Sequence, residues 1–239
     1  MKRHKSKALW LGSLVFAMVV ASGCLKSVDS PQTSEKKTYI SVLHLSPAAP
    51  TIEVYLNDTK SSSGIAPGTF SSAYSAVKPS SYSVTFKKAG SDSVVASIPA
   101  QIYDSLTFWT VLLYNDPNNV DVARAVAIED DFSGLTSGAF LYRFFHMSHN
   151  TIPVDFYIDD TKVSSSRQYA DNIYGGYNSF SPYSPGYHNL KVKKAGSDSL
   201  IAQKGVELYQ ANGYTIFLKG VTGGVGGNNL TLEVLQAVN

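Results

Sequence analysis

Five histidines and a scatter of carboxylates are the groups with which this chain of 239 residues could do acid–base or metal chemistry. His44 and His146 follow similar runs of alternating residues. An imidazole there suits an acid, a base or a ligand near neutral pH, or equally a packed ring bonded to backbone beside a turn. His146, His149 and Asp155 together carry the nitrogen and oxygen donors of a zinc site, but Pro47 stands where the corresponding first segment would need a partner for His149. Asp116, Asn118 and Asp121 are spaced like part of a calcium loop yet lack its glycine and final glutamate, so a plain Asn/Asp/Pro turn accounts for them. The run Gly223-Gly224-Val225-Gly226-Gly227-Asn228-Asn229 lacks the lysine and helix of a phosphate loop and reads as a loose hairpin. No Gly-x-Ser-x-Gly elbow is present. These residues lead us to expect no catalytic residue, no metal and no cofactor; a hydrolase or metal-dependent enzyme built on His146, His149 and nearby acids is the alternative.

Recognition by aromatic rings is a different chemistry, and one stretch carries it. Tyr169, Tyr174, Tyr177, Phe180, Tyr183 and Tyr187 are interleaved with Gly, Ser, Asn and Pro. Rings on an adaptable loop stack on sugars or anchor a protein partner, because they offer large area at low entropy cost. The competing explanation is that the same rings alternate into a core. We take all six as candidate ligand-binding residues.

Cys24 is the single cysteine, which excludes an internal disulfide framework. Lys2, Arg3, Lys5 and Lys7 precede an apolar run from Ala8 to Ala21, then Ala21-Ser22-Gly23. A basic start, an apolar middle and small residues before a break are the parts of a secretory signal. The run is shorter than the roughly 20 residues of a spanning helix. Ala21-Ser22-Gly23-Cys24 resembles the lipobox of bacterial lipoproteins. The resemblance implies cleavage of residues 1–23 and acylation of the Cys24 sulfur, anchoring the chain in a membrane. No Asp follows the cysteine, which by analogy favours the outer membrane; the acid-rich export tag of some surface lipoproteins is also absent, and the expectation covers both the periplasmic and the surface face. Residues 24–38 are then a polar, flexible tether with a reach of roughly 20 Å.

Removing residues 1–23 takes away four basic residues and no acid, leaving 16 Lys and Arg against 18 Asp and Glu. The basic balance belongs to the signal, so a nucleic-acid partner is not expected. Charged residues make up 16% of the chain, and Tyr, Ser, Thr and Gly are plentiful, a composition suited to extracytoplasmic sheet proteins.

The chain repeats itself. Lys87-Lys88-Ala89-Gly90-Ser91-Asp92-Ser93 recurs as Lys193-Lys194-Ala195-Gly196-Ser197-Asp198-Ser199. Val54-Tyr55-Leu56-Asn57-Asp58-Thr59-Lys60 is answered by Phe156-Tyr157-Ile158-Asp159-Asp160-Thr161-Lys162. His44 and Ser46 align with His146 and Ser148, and Trp109-Thr110-Val111 with Tyr214-Thr215-Ile216. A period near 100 residues is the size of a domain and too long for a solenoid. The copies occupy residues 39–131 and 139–239, joined by 132–138. Within each, the hydrophobic period is two: Tyr39 to Leu45, Ile52 to Leu56 and Tyr82 to Phe86 alternate, while Leu106 to Tyr114 is continuously apolar and predicts a central strand. Ala89-Gly90-Ser91-Asp92 reads as a hairpin turn. About seven strands per copy, with turns every 8–12 residues or so, predict an all-β protein of two tandem Ig-like antiparallel β-sandwich domains.

His44-Leu45-Ser46-Pro47-Ala48-Ala49-Pro50-Thr51-Ile52-Glu53-Val54-Tyr55-Leu56 resembles the opening of domain of unknown function 4397. That family often occurs as tandem copies in exported bacterial proteins. Pro79-Ser80-Ser81-Tyr82 and Pro185-Gly186-Tyr187-His188 resemble its next motif, and Tyr214-Thr215 a later one. His149 and Ile152 replace both prolines in the second opening. The resemblance covers nearly all of residues 39–239 and brings no established activity. The expectation is therefore a lipid-anchored envelope protein with a non-catalytic binding or scaffold role toward a glycan or envelope protein, or else a purely structural spacer.

Overall fold

The structure, a computed structural model, describes residues 36–237. Cys24 and the tether before Lys36 lie outside the described residues. No helix among the described residues is long and apolar enough to cross a membrane.

The first copy forms eight strands: β1 (Thr38–His44), β2 (Ile52–Leu56), β3 (Thr59–Lys60), β4 (Ser75–Val77), β5 (Ser80–Lys88), β6 (Val94–Tyr103), β7 (Phe108–Asp116) and β8 (Asn119–Asp130). The second forms β9 (Phe140–His146), β10 (Val154–Ile158), β11 (Thr161–Arg167), the one-turn helix α1 (Asp171–Tyr174), β12 (Ser181–Tyr183), β13 (Gly186–Lys194), β14 (Leu200–Leu208), β15 (Gly213–Lys219) and β16 (Thr231–Gln236). β3 and β4 are too short to carry a hydrophobic period, which is why the sequence reveals about seven strands and the fold has eight.

Each copy is a sandwich of two four-stranded sheets, β4-β1-β7-β8 over β3-β2-β5-β6 and β12-β9-β15-β16 over β11-β10-β13-β14. The two copies share one strand order. Pairing is antiparallel except between β1 and β7 and between β9 and β15, which run parallel. The chain leaves β1, crosses to the facing sheet and returns before β7, and such a long crossover permits a parallel neighbour. The repeated heptapeptide closes β5–β6 and β13–β14. Gly90 and Gly196 adopt φ of 70° and 69°, the left-handed turn conformation that glycine alone takes freely.

Both sheets that contain the parallel pair are packed on two faces. In β7, Val111 and Leu113 enter the first sandwich core, while Leu112 and Tyr114 enter a second core. In β9, Phe140, Tyr142 and Phe144 enter the second sandwich, while Phe145 joins Leu112 and Tyr114. Every residue of β9 and of β15 is buried. The sheets thus stack in four layers, and the middle core joins the two copies. Its contacts are reciprocal: Gly68, whose N–H bonds the His44 carbonyl, abuts the Gly226–Asn228 turn of the second copy, and Tyr169, beside Ala170 whose N–H bonds the His146 carbonyl, donates its hydroxyl to the Asn115 carbonyl of the first at 2.7 Å. A Cβ on Gly68 would stand 1.8 Å from the Gly227 carbonyl oxygen. The glycine-rich run lets two backbones touch.

Candidate functional site at the junction of the repeats

The strand ends bearing His44 and His146 are buried, and each ring is spent on backbone. His44 Nε2 lies 2.9 Å from the Pro50 carbonyl and His146 Nε2 lies 3.3 Å from the Ile152 carbonyl. The Ser148 N–H donates to His146 Nδ1, which fixes the proton on Nε2. Burial holds the His146 pKa down at about 4 and lowers that of His44 as well. Both imidazoles staple the turn that follows them. Asp155 accepts from Lys162 at 2.7 Å and from the N–H groups of Ser166 and Gly196, while His149 packs edge-on against Tyr169. Among the described residues no group of three or more His, Cys, Asp or Glu is placed to hold a metal ion. Asp116 caps its own turn through the Asn118 N–H and pairs with Arg124.

The middle core carries one charged network. Arg143 of β9, 2% exposed, reaches across to Asp130 at the end of β8, Nη2 to Oδ1 at 2.6 Å. The same nitrogen donates to Thr110 at 2.9 Å, and Nε donates to Thr215 at 2.9 Å. Asp130 Oδ2 accepts from the hydroxyls of Tyr74 at 2.6 Å and Thr110 at 2.7 Å. Burial, reinforced by the Asp130 charge, drives the Tyr74 hydroxyl pKa upward, so it stays a donor. The guanidinium carbon sits 4.6 Å from the Phe145 ring centre and 4.4 Å from that of Phe180. The sequence gives little sign of this pairing, because its partners come from different copies and Ser41 holds the position of Arg143 in the first.

Outside this network a groove runs along the side of the molecule that carries the linker. Three depressions of about 420, 570 and 400 Å³ adjoin in a row: the first and second share Phe108, and the second and third share Glu129, Asp131 and Ser133. Half-buried rings floor it in series: Tyr39 on Phe108 at 4.7 Å, Phe108 on Phe132 at 5.3 Å, and Phe132 on Phe180 at 4.8 Å. The Phe180 ring also contacts Arg143 from within. Glu129 and Asp131 are exposed on its rim. Leu106 lines the middle depression, 65% exposed and with φ of 65°.

The second copy has no equivalent of this surface. Where the first copy places Tyr39, Leu106 and Phe108, the matching strand positions hold Leu141, Ala211 and Gly213. Ala211 makes the same left-handed turn as Leu106, with φ of 56°. The leucine is therefore not required by the turn.

The six rings of the Tyr-rich stretch are dispersed. Tyr169 belongs to the middle core, and Tyr183 packs on Phe140, Tyr142 and His188 inside the second sandwich. Phe180 lines the groove. Tyr174 is 67% exposed, and Tyr177, 49% exposed, lies under the Arg167 guanidinium at 4.1 Å. Tyr187 is 71% exposed on β13, its hydroxyl lying over Gly205 of β14. The stretch thus forms no single platform. Tyr39, Phe108, Phe132, Glu129 and Asp131 are the groove residues that sequence reasoning missed; the signal was present in the copy-to-copy differences at Tyr39, Leu106 and Phe108.

A family model described as Domain of unknown function (DUF4397) matches residues 38–157 and, again, residues 141–237. The chain belongs to the DUF4397 family. The two matches overlap over residues 141–157, which hold nearly all of β9 and β10, so the first match extends into the second copy. No curated relative matches the chain. In this DUF4397 pair, the groove lies on the linker side, where the two copies adjoin. It presents rings and methylenes for apolar contact, with carboxylates and amides at the rim for polar contact.

Proposed function

We propose that the chain is a lipid-anchored, non-catalytic binding protein of the cell envelope, held to a bilayer through acylated Cys24 and contacting a glycan or protein ligand at the linker-side groove. The observation that carries this reading is the groove itself: an unbroken series of half-buried rings, Tyr39 and Phe108 from the first copy, Phe132 from the linker and Phe180 from the second, bordered by exposed carboxylates. The signal-like start and Ala21-Ser22-Gly23-Cys24 support the anchor. Tyr174 and Tyr177 supply further exposed aromatic area beside α1. Mass spectrometry of the Cys24 peptide from the native membrane tests the anchor, with an unmodified thiol counting against it. A glycan array and pull-downs from envelope extract test the binding role, with Ser133→Trp filling the groove. Ser133 is exposed, and its backbone N–H bond to Asp131 is kept in the replacement, which gives up only the hydroxyl's contact with that carboxylate. Interactions that all survive Ser133→Trp would remove the groove from the reading.

A structural spacer is the second reading. The buried Arg143–Asp130 pair favours it, since it ties the two copies to each other. A spacer shows no ligand in either assay.

A further inference from the structure

We infer that the groove takes a cationic, extended peptide segment, with an arginine or lysine side chain lying along the Phe132–Phe180 rings and its charge between Glu129 and Asp131. This rests on the reading of the groove as a contact surface and names what it contacts. Charge is the first argument. None of the residues lining the three depressions is basic, whereas Glu129 and Asp131 both line the two that flank Phe132. Neither carboxylate has an ion-pair partner among the described residues. The Ser133 hydroxyl and N–H hold the Asp131 carboxyl below its ordinary pKa, keeping it charged.

The second argument comes from within the molecule. Arg143 already shows the recognition mode: a guanidinium held between two rings, Phe145 and Phe180, and paired to the carboxylate Asp130, one residue from each rim acid. Glu129 and Asp131 flank Asp130 in sequence and stay exposed where Asp130 is buried. The outer side of the same aromatic series thus offers a second guanidinium or ammonium what the inner side gives Arg143: ring area and a carboxylate.

The shape of the site is the third argument. The middle depression meets the end of β8, the edge strand of its sheet, and the neighbouring one meets β12, the edge strand of the other. A groove bounded by two sheet edges suits a chain in extended conformation better than a compact ligand. A neutral sugar would find one face of Phe108 already covered by the stacked Tyr39 ring, 4.7 Å between centroids.

The test measures binding of fluorescent hexa-arginine amide, with a neutral hexasaccharide as comparison probe, to the whole chain in detergent. The variants are Glu129→Gln with Asp131→Asn, and Asp58→Asn with Asp160→Asn as a control pair of exposed acids elsewhere. We expect hexa-arginine to bind, to weaken with salt, and to bind about tenfold more weakly to the Glu129/Asp131 pair, the loss of two charge-assisted contacts. The control pair should bind as the parent does. Equal weakening by both pairs, or no hexa-arginine binding, overturns the inference. If the hexasaccharide binds instead and Ser133→Trp abolishes it, the groove stands as a contact surface and the cationic ligand falls. If neither probe binds and envelope extract yields nothing, both readings fall together.

Discussion

The Phe132 ring rests where residue 213 has no side chain: a Cβ on Gly213 would stand 2.3 Å from the ring. Phe132 belongs to the linker, and Gly213 opens β15 of the second copy. The ring also packs edge-on against Phe108 of the first copy. One linker residue thus plugs the seam between the sheets. Gly213→Ala forces the ring to move within a packed site, at a cost of about 1–3 kcal/mol. In a chain this size that lowers Tm by several degrees. Adding Phe132→Leu should recover part of the loss, because the shorter side chain vacates the clash. Urea melts of both single variants and the double variant check this, and strict additivity would contradict it.

The Arg143–Asp130 pair predicts an asymmetry between breaking and replacing. Arg143→Met leaves Asp130 buried with only the Tyr74 and Thr110 hydroxyls, and should cost about 3–5 kcal/mol. Arg143→Met combined with Asp130→Leu should be much milder, because no uncompensated charge remains. Equilibrium unfolding compares them. Equal losses in the two variants would mean that the pair is worth more than its desolvation cost.

Acid should weaken the fold through His146. Its folded pKa of about 4 lies below the unfolded value near 6.5. The unfolded chain therefore binds a proton first. The contribution of the neutral ring is fully present above about pH 6.5 and is lost as pH falls toward 4, by up to about 3 kcal/mol. His44, shifted in the same direction by burial, adds with the same sign. In His146→Gln the stability difference between pH 7 and pH 4.5 should shrink relative to the parent. An unchanged difference would assign the acid sensitivity to other groups.

Because the middle core spans both copies, the described residues should unfold as one unit. Trp109 is the single tryptophan among them and reports on the first sandwich, whereas far-ultraviolet circular dichroism reports on all strands. The two melts should coincide. Leu112→Ala, at the centre of the middle core, should lower both together, by about 3 kcal/mol. Separate transitions would show two independent sandwiches.

Much of this architecture is legible in the sequence. Alternation in Tyr39–Leu45, Ile52–Leu56 and Tyr82–Phe86 marks real strands, and the apolar run through Leu113 marks a central one, β7, which lies between β1 and β8. The duplication is visible because Lys-Lys-Ala-Gly-Ser-Asp-Ser is tied to a turn that demands glycine. What periodicity alone conceals is the middle core. The same apolar run that announces a central strand also fits a strand buried in a single sandwich, and only the fold shows Leu112 and Tyr114 facing another copy. The dispersal of the Tyr-rich stretch is hidden for a related reason. Composition records rings and not their directions, and half of these point inward or into the seam. Phe132 and Gly213 escape notice because a lone linker phenylalanine and a strand glycine acquire meaning only together.

The reciprocal contacts of Gly68 and Tyr169 have an ancestral reading. The two copies meet through corresponding segments, Gly68 by a close backbone approach and Tyr169 by a hydroxyl hydrogen bond, an arrangement similar to the isologous geometry of a symmetric homodimer. The matching positions nevertheless differ: Ser41 against Arg143, Leu112 against Phe217, Tyr114 against Lys219. A subunit released from its fused partner would no longer find an equal in another copy of itself, because the arginine and its carboxylate now sit on opposite members of the pair.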